Sequence, residues 1–252
     1  MEGESKGGAT DSTWHEEKEK GSSYGEDVVQ LTNKQLLSRL LYPNPVCLLS
    51  VASPSAANVM TISWLTCVNN NVCLSFFPSL LLCCLLLIKL KEQGLIICIV
   101  NKRRFTSTFL QPGFSFVLNV PIKGMEKLVL SVGGSSGRNQ NKFESLGIPT
   151  CRPGWLSLDP KEKPEEGKDK GEAAPQSLLA IAPCVAHIVC RISSRQEQEG
   201  HYVLFCHLLS AFVKADYWNG KTFIPQREDV PPYFTFLGSQ QLALVSPTSA
   251  QK

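Results

Sequence analysis

The sequence lacks the marks of a secreted protein held together by disulfides. Its 252 residues include ten cysteines, but no two are spaced as C-x-x-C, and no N-x-S or N-x-T glycosylation site occurs. The N-terminal stretch is polar and contains no apolar run of the kind that a secretory signal needs. Small secreted scaffolds are short and cysteine-dense, whereas this chain is long and its cysteines are scattered. We therefore expect reduced thiols and a cytoplasmic location.

The sequence also lacks a strong charge of either sign and a dinucleotide-binding glycine motif. Its 25 basic and 22 acidic residues leave a formal net charge of +3, which is too small to indicate nucleic acid as a partner. No G-x-G-x-x-G stretch is present, so a Rossmann domain has no support. Hydrophobic residues make up 43% of the chain, which is enough to build a core for one large domain or two small ones.

What the sequence does contain is a series of short strand-like runs with one or two helices between them. LTNKQLLSRLL (31–41) predicts a helix with Thr32 as its N-cap, and GMEKLVLSVGG (124–134) predicts a second helix that ends at its glycines. This pattern favours a mainly β barrel with flanking helices. Strands are predicted over 45–53, 58–68, 114–120, 184–192, 201–218 (bent) and 232–238.

The composition also predicts the domain limits. Residues 1–27 are rich in Gly, Ser, Glu and Lys and are expected to form a disordered polar tail. One domain is expected over 28–240, interrupted by a charged, Pro- and Gly-bearing loop over 160–175. Residues 241–252 are expected to form a C-terminal tail.

Two short motifs suggest chemistry that their surroundings do not support. Gly133, Ser135 and Gly137 satisfy G-x-S-x-G, but a nucleophile elbow needs a strand before it, and the preceding segment is better interpreted as a helix. Cys184 and Cys190 flank His187 with the spacing of metal ligands. On a strand, however, His187 would face away from both thiols, so a core strand is the favoured interpretation and no metal site is expected.

A basic turn, VNKRRFTST (100–108), is the best candidate for a binding site. Three consecutive cations followed by hydroxyls can hold a phosphate through charge and paired N–H donors. If this stretch is extended, Arg103 and Arg104 face opposite ways and only one of them points at a ligand. A second hydroxyl-rich stretch, NVMTISWLTC (58–67), carries an aromatic at Trp64. Together the two stretches would suit an aromatic ligand that bears a phosphate.

With these residues the chain resembles the flavin reductase-like family, whose fold is the FMN-binding split barrel, a Greek-key-like six-stranded barrel. The resemblance runs from about Tyr42 to Gly238. It rests on the stretches YPNPVCLLSV, NVMTISWLTCV, NKRRFTSTFLQPGFSFVLNV, SGRNQNKFESLGI, APCVAHIVCRI and GHYVLFCHLLSAFV, in that order.

The resemblance implies an FMN-binding oxidoreductase that transfers hydride from NADH or NADPH to flavin, usually as a homodimer with FMN near the subunit interface. It places His201 near the flavin or nicotinamide as the candidate catalytic residue. An alternative is a barrel that binds flavin or a partner without turnover. The resemblance puts Asn58, Thr61, Ser63, Trp64 and Thr66 along the flavin ring and ribityl chain, and Asn101, Lys102, Arg103, Arg104, Thr106 and Ser107 at the phosphate.

An apolar segment, Val72–Gln93, interrupts this resemblance. Without its 22 residues the sequence reads CVNNN-GLIICIVNKRRF, which predicts an uninterrupted strand–turn–strand. Val72–Ile88 is at the short limit for a membrane helix and contains Pro78, and a spanning helix would separate two adjacent barrel strands. An exposed apolar insertion would promote aggregation. A retained intron is a third explanation and the favoured one, because Val codons begin with GT and Gln can be encoded by CAG.

Overall fold

Alternating and continuous apolar runs form most of the strands. The computed structural model describes residues 40–41, 43–69, 94–158 and 178–246, and all that follows concerns these residues. Two helices and two short 3-10 helices accompany the strands: α1 (Glu126–Gly134), α2 (Lys142–Ser145), Phe105–Thr108 and Ala215–Tyr217. The strands are β1 (Asn44–Pro45), β2 (Cys47–Ala52), β3 (Ala57–Ile62), β4 (Leu65–Asn69), β5 (Leu95–Asn101), β6 (Ser115–Val120), β7 (Thr150–Cys151), β8 (Ala180–Ile181), β9 (Ala186–Gln198), β10 (His201–Val213), β11 (Tyr233–Gly238) and β12 (Gln241–Val245).

One antiparallel sheet of seven strands forms the main body, in the order β3-β2-β6-β9-β10-β5-β4. Its two edge strands, β3 and β4, follow one another along the chain with only Ser63 and Trp64 between them. The sheet therefore curves round until its edges are joined by a two-residue bend. Counted as one bent strand, β3 and β4 complete a barrel of six strands, and the prediction of a mainly β six-stranded barrel is confirmed.

The buried side chains of β2 point alternately into the barrel interior and into an outer layer beside α1. Cys47, Leu49 and Val51 pack in the barrel interior, whereas Leu48 packs with α1 residues such as Val129. Because successive side chains on a strand point to opposite faces, a strand buried on both faces reads as a continuous apolar run, as CLLSVA does.

The longest hairpin joins β9 to β10 through a two-residue turn at Glu199 and Gly200. Both residues have positive φ, 45° and 77°, which is the backbone that a type I′ turn requires. This turn fixes where His201 begins β10, opposite Asn101 at the end of β5.

The pairing of β4 with β5 bears on the apolar segment between them. Asn69 lies opposite Leu95, so the chain leaves and rejoins the sheet at facing positions, and the two strands on either side of the segment pair with each other. Removing Val72–Gln93 would leave a three-residue link ending in Gly94, a common length for a hairpin loop. The segment itself lies outside the described residues.

The described part of the chain contains no helix long and apolar enough to cross a membrane. The predicted tail over 1–27, most of the helix over 31–41 and the charged loop over 160–175 also lie outside the described residues. The last described strand, β12, occupies part of the segment predicted as a tail and pairs with β11 in a separate three-stranded sheet.

Candidate functional site

A polar cavity of about 350 Å³ opens beside the barrel, and it is built from four parts of the chain. These are β3, the basic turn after β5, the C-terminal end of α1, and the link from there to α2. Six of the residues predicted as cofactor-binding line it: Asn58, Thr61, Asn101, Arg103, Arg104 and Thr106.

The basic turn places both arginines at the cavity because it is folded, not extended. The backbone N–H of Arg104 donates to the carbonyl of Asn101 at 3.0 Å, and a 3-10 helix begins immediately afterwards. The side chain of Asn101 accepts from the N–H of Arg103 at 2.9 Å. The expectation that only one arginine points at the ligand rests on the side-chain alternation of a strand, which does not apply to this folded turn, and both arginines line the cavity.

Asn58 presents an unpaired acceptor within the cavity wall. Its side chain is 1% exposed, and its Nδ2 donates to Thr106 Oγ1 at 2.8 Å. Its Oδ1 is buried and has no hydrogen-bond partner among the described residues. Buried polar atoms are nearly always satisfied, so an orphan in a cavity wall indicates a partner supplied by a ligand or water.

The glycine- and serine-rich segment after α1 forms the opposite wall. A Cβ on Gly137 would lie 2.2 Å from Asn58 Oδ1, so only glycine fits against that side chain. Ser135 follows a helix and its hydroxyl donates back to the carbonyl of Ser131 at 2.8 Å. This helix confirms that the G-x-S-x-G match is not a nucleophile elbow.

Lys142 forms part of the cavity lining, although only 3% of its surface is exposed. Its Nζ donates to two backbone carbonyls, Val59 at 3.0 Å and Val132 at 2.8 Å. Burial, and to a lesser extent the neighbouring Arg104 guanidinium, lowers the pKa of Lys142 to about 8. No local pattern in the sequence distinguishes this lysine from an exposed one. The other lining residues missed from the sequence are Met60, Phe105, Val132, Gly133, Ser135, Ser136 and Gly137.

His201 lies next to the cavity and is connected to it through Asn101. Asn101 Nδ2 lies 3.3 Å from His201 Nε2, and His201 Nδ1 lies 3.2 Å from the carbonyl oxygen of Glu199. With the amide donating to Nε2, the ring donates from Nδ1 to the Glu199 carbonyl. The indole of Trp64 lies against the imidazole, with the ring centroids 5.6 Å apart.

Several residues predicted at the cofactor do not line the cavity. Lys102 instead pairs with Glu197 on β9 at 2.5 Å, and Ser107 is buried with its hydroxyl donating to the Lys102 carbonyl at 2.8 Å. Thr66 is exposed on β4. Ser63 and Trp64 occupy the bend between β3 and β4. Trp64 lies against His201, and neither Ser63 nor Trp64 lines the cavity.

The cysteine–histidine motif is dispersed among separate buried clusters. Cys184 packs with α1, Cys190 lies in the barrel interior, and His187 stacks on Trp155 with the ring centroids 4.3 Å apart. Among the described residues no group of three potential ligands could hold a metal ion. The prediction of a core strand at this motif is confirmed.

The charge of the cavity determines what it can hold. Among the residues that the structure describes, its lining includes three cations, Arg103, Arg104 and Lys142, and no carboxylate. Serine and threonine hydroxyls lie among them. A partly closed site with positive charge and neutral donors selects an anion, and a phosphate ester fits this donor set.

Comparison with known proteins points to one family. Residues 37–222 match the family model described as a flavin reductase like domain. No curated protein matches the chain.

Three solved structures share the fold. One is a flavoredoxin from Methanosarcina acetivorans, with 19% identity, a TM-score of 0.57, and 90% of this chain and 96% of that chain covered. Another is an FMN-binding protein from Thermus thermophilus, with 13% identity and a TM-score of 0.58; the match covers 91% of this chain and 99% of that chain. A further one is an NADH:FAD oxidoreductase from Streptomyces globisporus, with 17% identity and a TM-score of 0.54; the match covers 89% of this chain and 100% of that chain.

Proposed function

The chain belongs to the flavin reductase-like family, and from that premise we propose that it binds FMN in the polar cavity and transfers hydride from NADH or NADPH to flavin. The observation that carries the proposal is the charge of the cavity. The described part of its lining has three cations and no carboxylate, together with the orphan Oδ1 of Asn58. A ligand with a phosphate at one end and an imide N–H at the other would satisfy both features.

Different residues around the cavity would bind different parts of the ligand. Arg103 and Arg104 would hold the phosphate, because both line the cavity from the exposed side. Asn58 and Thr61, which lie deeper on β3, would meet the ring system. The hydroxyl of Thr61 donates to the carbonyl of Val129 at 2.6 Å, which leaves its oxygen free to accept from a ligand. Bound flavin would supply the two-electron chemistry, and the protein would supply orientation and electrostatics.

The surface formed by Trp64 and His201 is the proposed place for a nicotinamide. An indole ring and an imidazole lie side by side there, next to Asn101 of the cavity wall. Such a surface can stack a flat ring and keep water away from it. A nicotinamide donor is supported by the Streptomyces protein, which is an NADH:FAD oxidoreductase whose structure is also known with NAD and FAD fragments.

A non-catalytic flavin-binding barrel is the second candidate function. The position of His201 favours it, because this residue does not line the cavity and both of its ring nitrogens are engaged by Asn101 and Glu199. A protein of this kind would hold flavin without exchanging electrons with a nicotinamide.

Absorbance of the purified chain tests the proposal. Bands in the near-ultraviolet and blue should appear after addition of FMN and removal of excess, and they should bleach anaerobically with NADH or NADPH. Bound colour that neither nucleotide bleaches would select the non-catalytic candidate. Retention of FAD in place of FMN would change the flavin assigned here, and failure to retain either flavin would refute the proposal.

The proposal also takes the protein to be a cytoplasmic homodimer. Homodimers with the flavin near the subunit interface are what the family resemblance implies, and the open side of the cavity is the place that a second subunit would cover. Light scattering should give twice the mass of one chain. A monomer with FMN fully bound would contradict this part.

A further inference from the structure

Lys142 is the least expected charge in the cavity, because its amine is buried and has no acidic partner within the described part of the chain. Two backbone carbonyls, of Val59 and Val132, accept its hydrogen bonds. An ammonium has three N–H donors, so one remains for the cavity that the residue lines. Two neutral carbonyls satisfy donors but do not neutralise a charge.

The charged groups of the elements around Lys142 do not neutralise it either. Strand β3 has no titratable side chain. On α2, Glu144 accepts from the Asn141 amide, and on α1, Glu126 accepts from the N–H of Gly124. Arg104 adds a like charge and donates to the Gly133 carbonyl, next to the Val132 carbonyl that Lys142 uses. The remaining charges are cationic: Lys127 on α1, Lys102 and Arg103 in the basic turn, and Arg138 in the link between the two helices. Lys102 is paired with Glu197, and Arg138 donates to the carbonyl of Arg103.

This arrangement is costly in the absence of a ligand. Moving an ammonium out of water without a counter-charge favours its neutral form, which is why the pKa of Lys142 falls to about 8. An anion in the cavity would reverse the effect, since a nearby opposite charge stabilises the protonated amine. Ligand binding and protonation are then linked.

We propose that Lys142 is a second anion-binding group of the cavity, distinct from the arginines of the basic turn, and that an anionic ligand binds better when this amine carries its proton. The inference rests on the proposed function, because it assigns a role in the same cavity. The ligand group that Lys142 would meet is an anionic oxygen or nitrogen within hydrogen-bond reach of Nζ. It has two possible sources, the phosphate of FMN and the negative charge of the reduced flavin ring.

The dissociation constant for FMN between pH 7 and pH 9 is the first test. The phosphate is dianionic throughout this range, since its second pKa is about 6. With a pKa of about 8, the protonated fraction of Lys142 falls roughly tenfold over the range. If the phosphate is the source, wild type should bind FMN about tenfold more weakly at pH 9 than at pH 7. Lys142→Gln, which keeps a donor but no charge, should bind more weakly at pH 7 and show no such fall.

Two further variants complete that test. Lys142→Arg stays protonated at pH 9 and should retain affinity there. Lys127→Gln removes one charge from an exposed position on α1 and should behave as wild type. The proposal would be overturned if Lys142→Gln bound every ligand tested as tightly as wild type and lost affinity between pH 7 and pH 9 as wild type does.

Riboflavin, which has no phosphate, separates the two sources. A loss in Lys142→Gln that is confined to FMN assigns the phosphate. A loss confined to reduced riboflavin, seen as a lower midpoint potential of the bound flavin, assigns the ring. Oxidised FMN affinity would then be nearly independent of pH.

Two measurements keep the inference testable if the variants fail to fold or the protein binds no flavin. Calorimetry of wild type at pH 8.5, in buffers of different ionisation enthalpy, should show uptake of roughly three quarters of a proton when the anionic ligand binds. No uptake for either oxidised FMN or reduced riboflavin would contradict the proposal.

If neither flavin binds, the proposed function fails. Inorganic phosphate then becomes the probe: it should raise the melting temperature more at pH 7 than at pH 9 in wild type, and an equal rise at both would refute the role of Lys142.

Discussion

Replacing both Arg103 and Arg104 by alanine should weaken FMN binding and leave riboflavin binding nearly unchanged, because the two ligands differ only by a phosphate. Both arginines line the cavity, and neither has a carboxylate partner within the described part of the chain. A phosphate can therefore bind both without first displacing an ion pair.

The magnitude follows from the exposure of the two side chains. A hydrogen bond to a charged group contributes about 1.5–3 kcal/mol, and the lower value applies here because both arginines are exposed to solvent. Two such contacts amount to about 3 kcal/mol, which is on the order of a hundredfold in the dissociation constant. Arg104 also donates to the carbonyl of Gly133 at 3.2 Å, so its loss is expected to lower stability slightly as well.

Fluorescence quenching titrations with both flavins provide the assay. The matched control is the double change of Lys123 and Lys127 to alanine, which removes the same charge from exposed positions outside the cavity lining. The control should bind FMN as wild type does, and added salt should reduce the difference between FMN and riboflavin. Equal losses for FMN and riboflavin in the arginine variant would show that the basic turn does not hold the phosphate.

Three other perturbations have outcomes that the structure specifies. Deleting Val72–Gln93 should raise soluble yield and flavin content, because it removes apolar surface and leaves a short hairpin loop between β4 and β5. The intron explanation fails if every transcript carries the segment and its deletion abolishes folding. Gly137→Ala should abolish tight flavin binding or lower stability by about 1–3 kcal/mol, because the new Cβ would meet the buried Asn58 amide. Gly134→Ala, where a Cβ meets nothing within 4 Å, should be tolerated, and similar effects of the two changes would argue against the close contact. Burial lowers the pKa of His187 from its ordinary value of 6.5, so the folded state favours the neutral ring. As the pH drops below 6.5, the unfolded chain takes up a proton on this residue before the folded protein does. The free energy of unfolding should therefore fall over that range. Urea unfolding at pH 7.5 and 5.5 should show a smaller fall for His187→Gln than for wild type, and identical falls would refute this role.

The strands were predictable because their apolar patterns are local. The run CLLSVA in β2 is buried on both faces, and the β9 and β10 hairpin turns at Glu199-Gly200, where glycine readily adopts positive φ. Which hydroxyls of the β3 and β4 region reach the cavity was not predictable in the same way. The bend at Ser63 and Trp64 turns Thr66 away from Thr61, and no single-sequence pattern shows that a strand bends there.

The basic turn shows the same limit on a smaller scale. Its composition predicts an anion site, and the cavity contains its arginines as expected. Their orientation depends on the backbone hydrogen bond from Arg104 to Asn101, which replaces an extended strand with a turn. Lys102, identical in charge to its neighbours, is instead drawn to Glu197 on β9.

By itself the sequence determined the mainly β architecture, the place where the apolar segment interrupts a hairpin, and the cationic character of the candidate site. These properties follow from residue type and short-range spacing, which a chain carries before it folds. Only the tertiary structure decided that Lys142 loses its water and lines the cavity, that Gly137 presses against Asn58, and that His201 reaches the site through Asn101. Each of these depends on residues far apart in sequence that meet only when the barrel closes, and burial and contact at such a distance leave no local pattern to read.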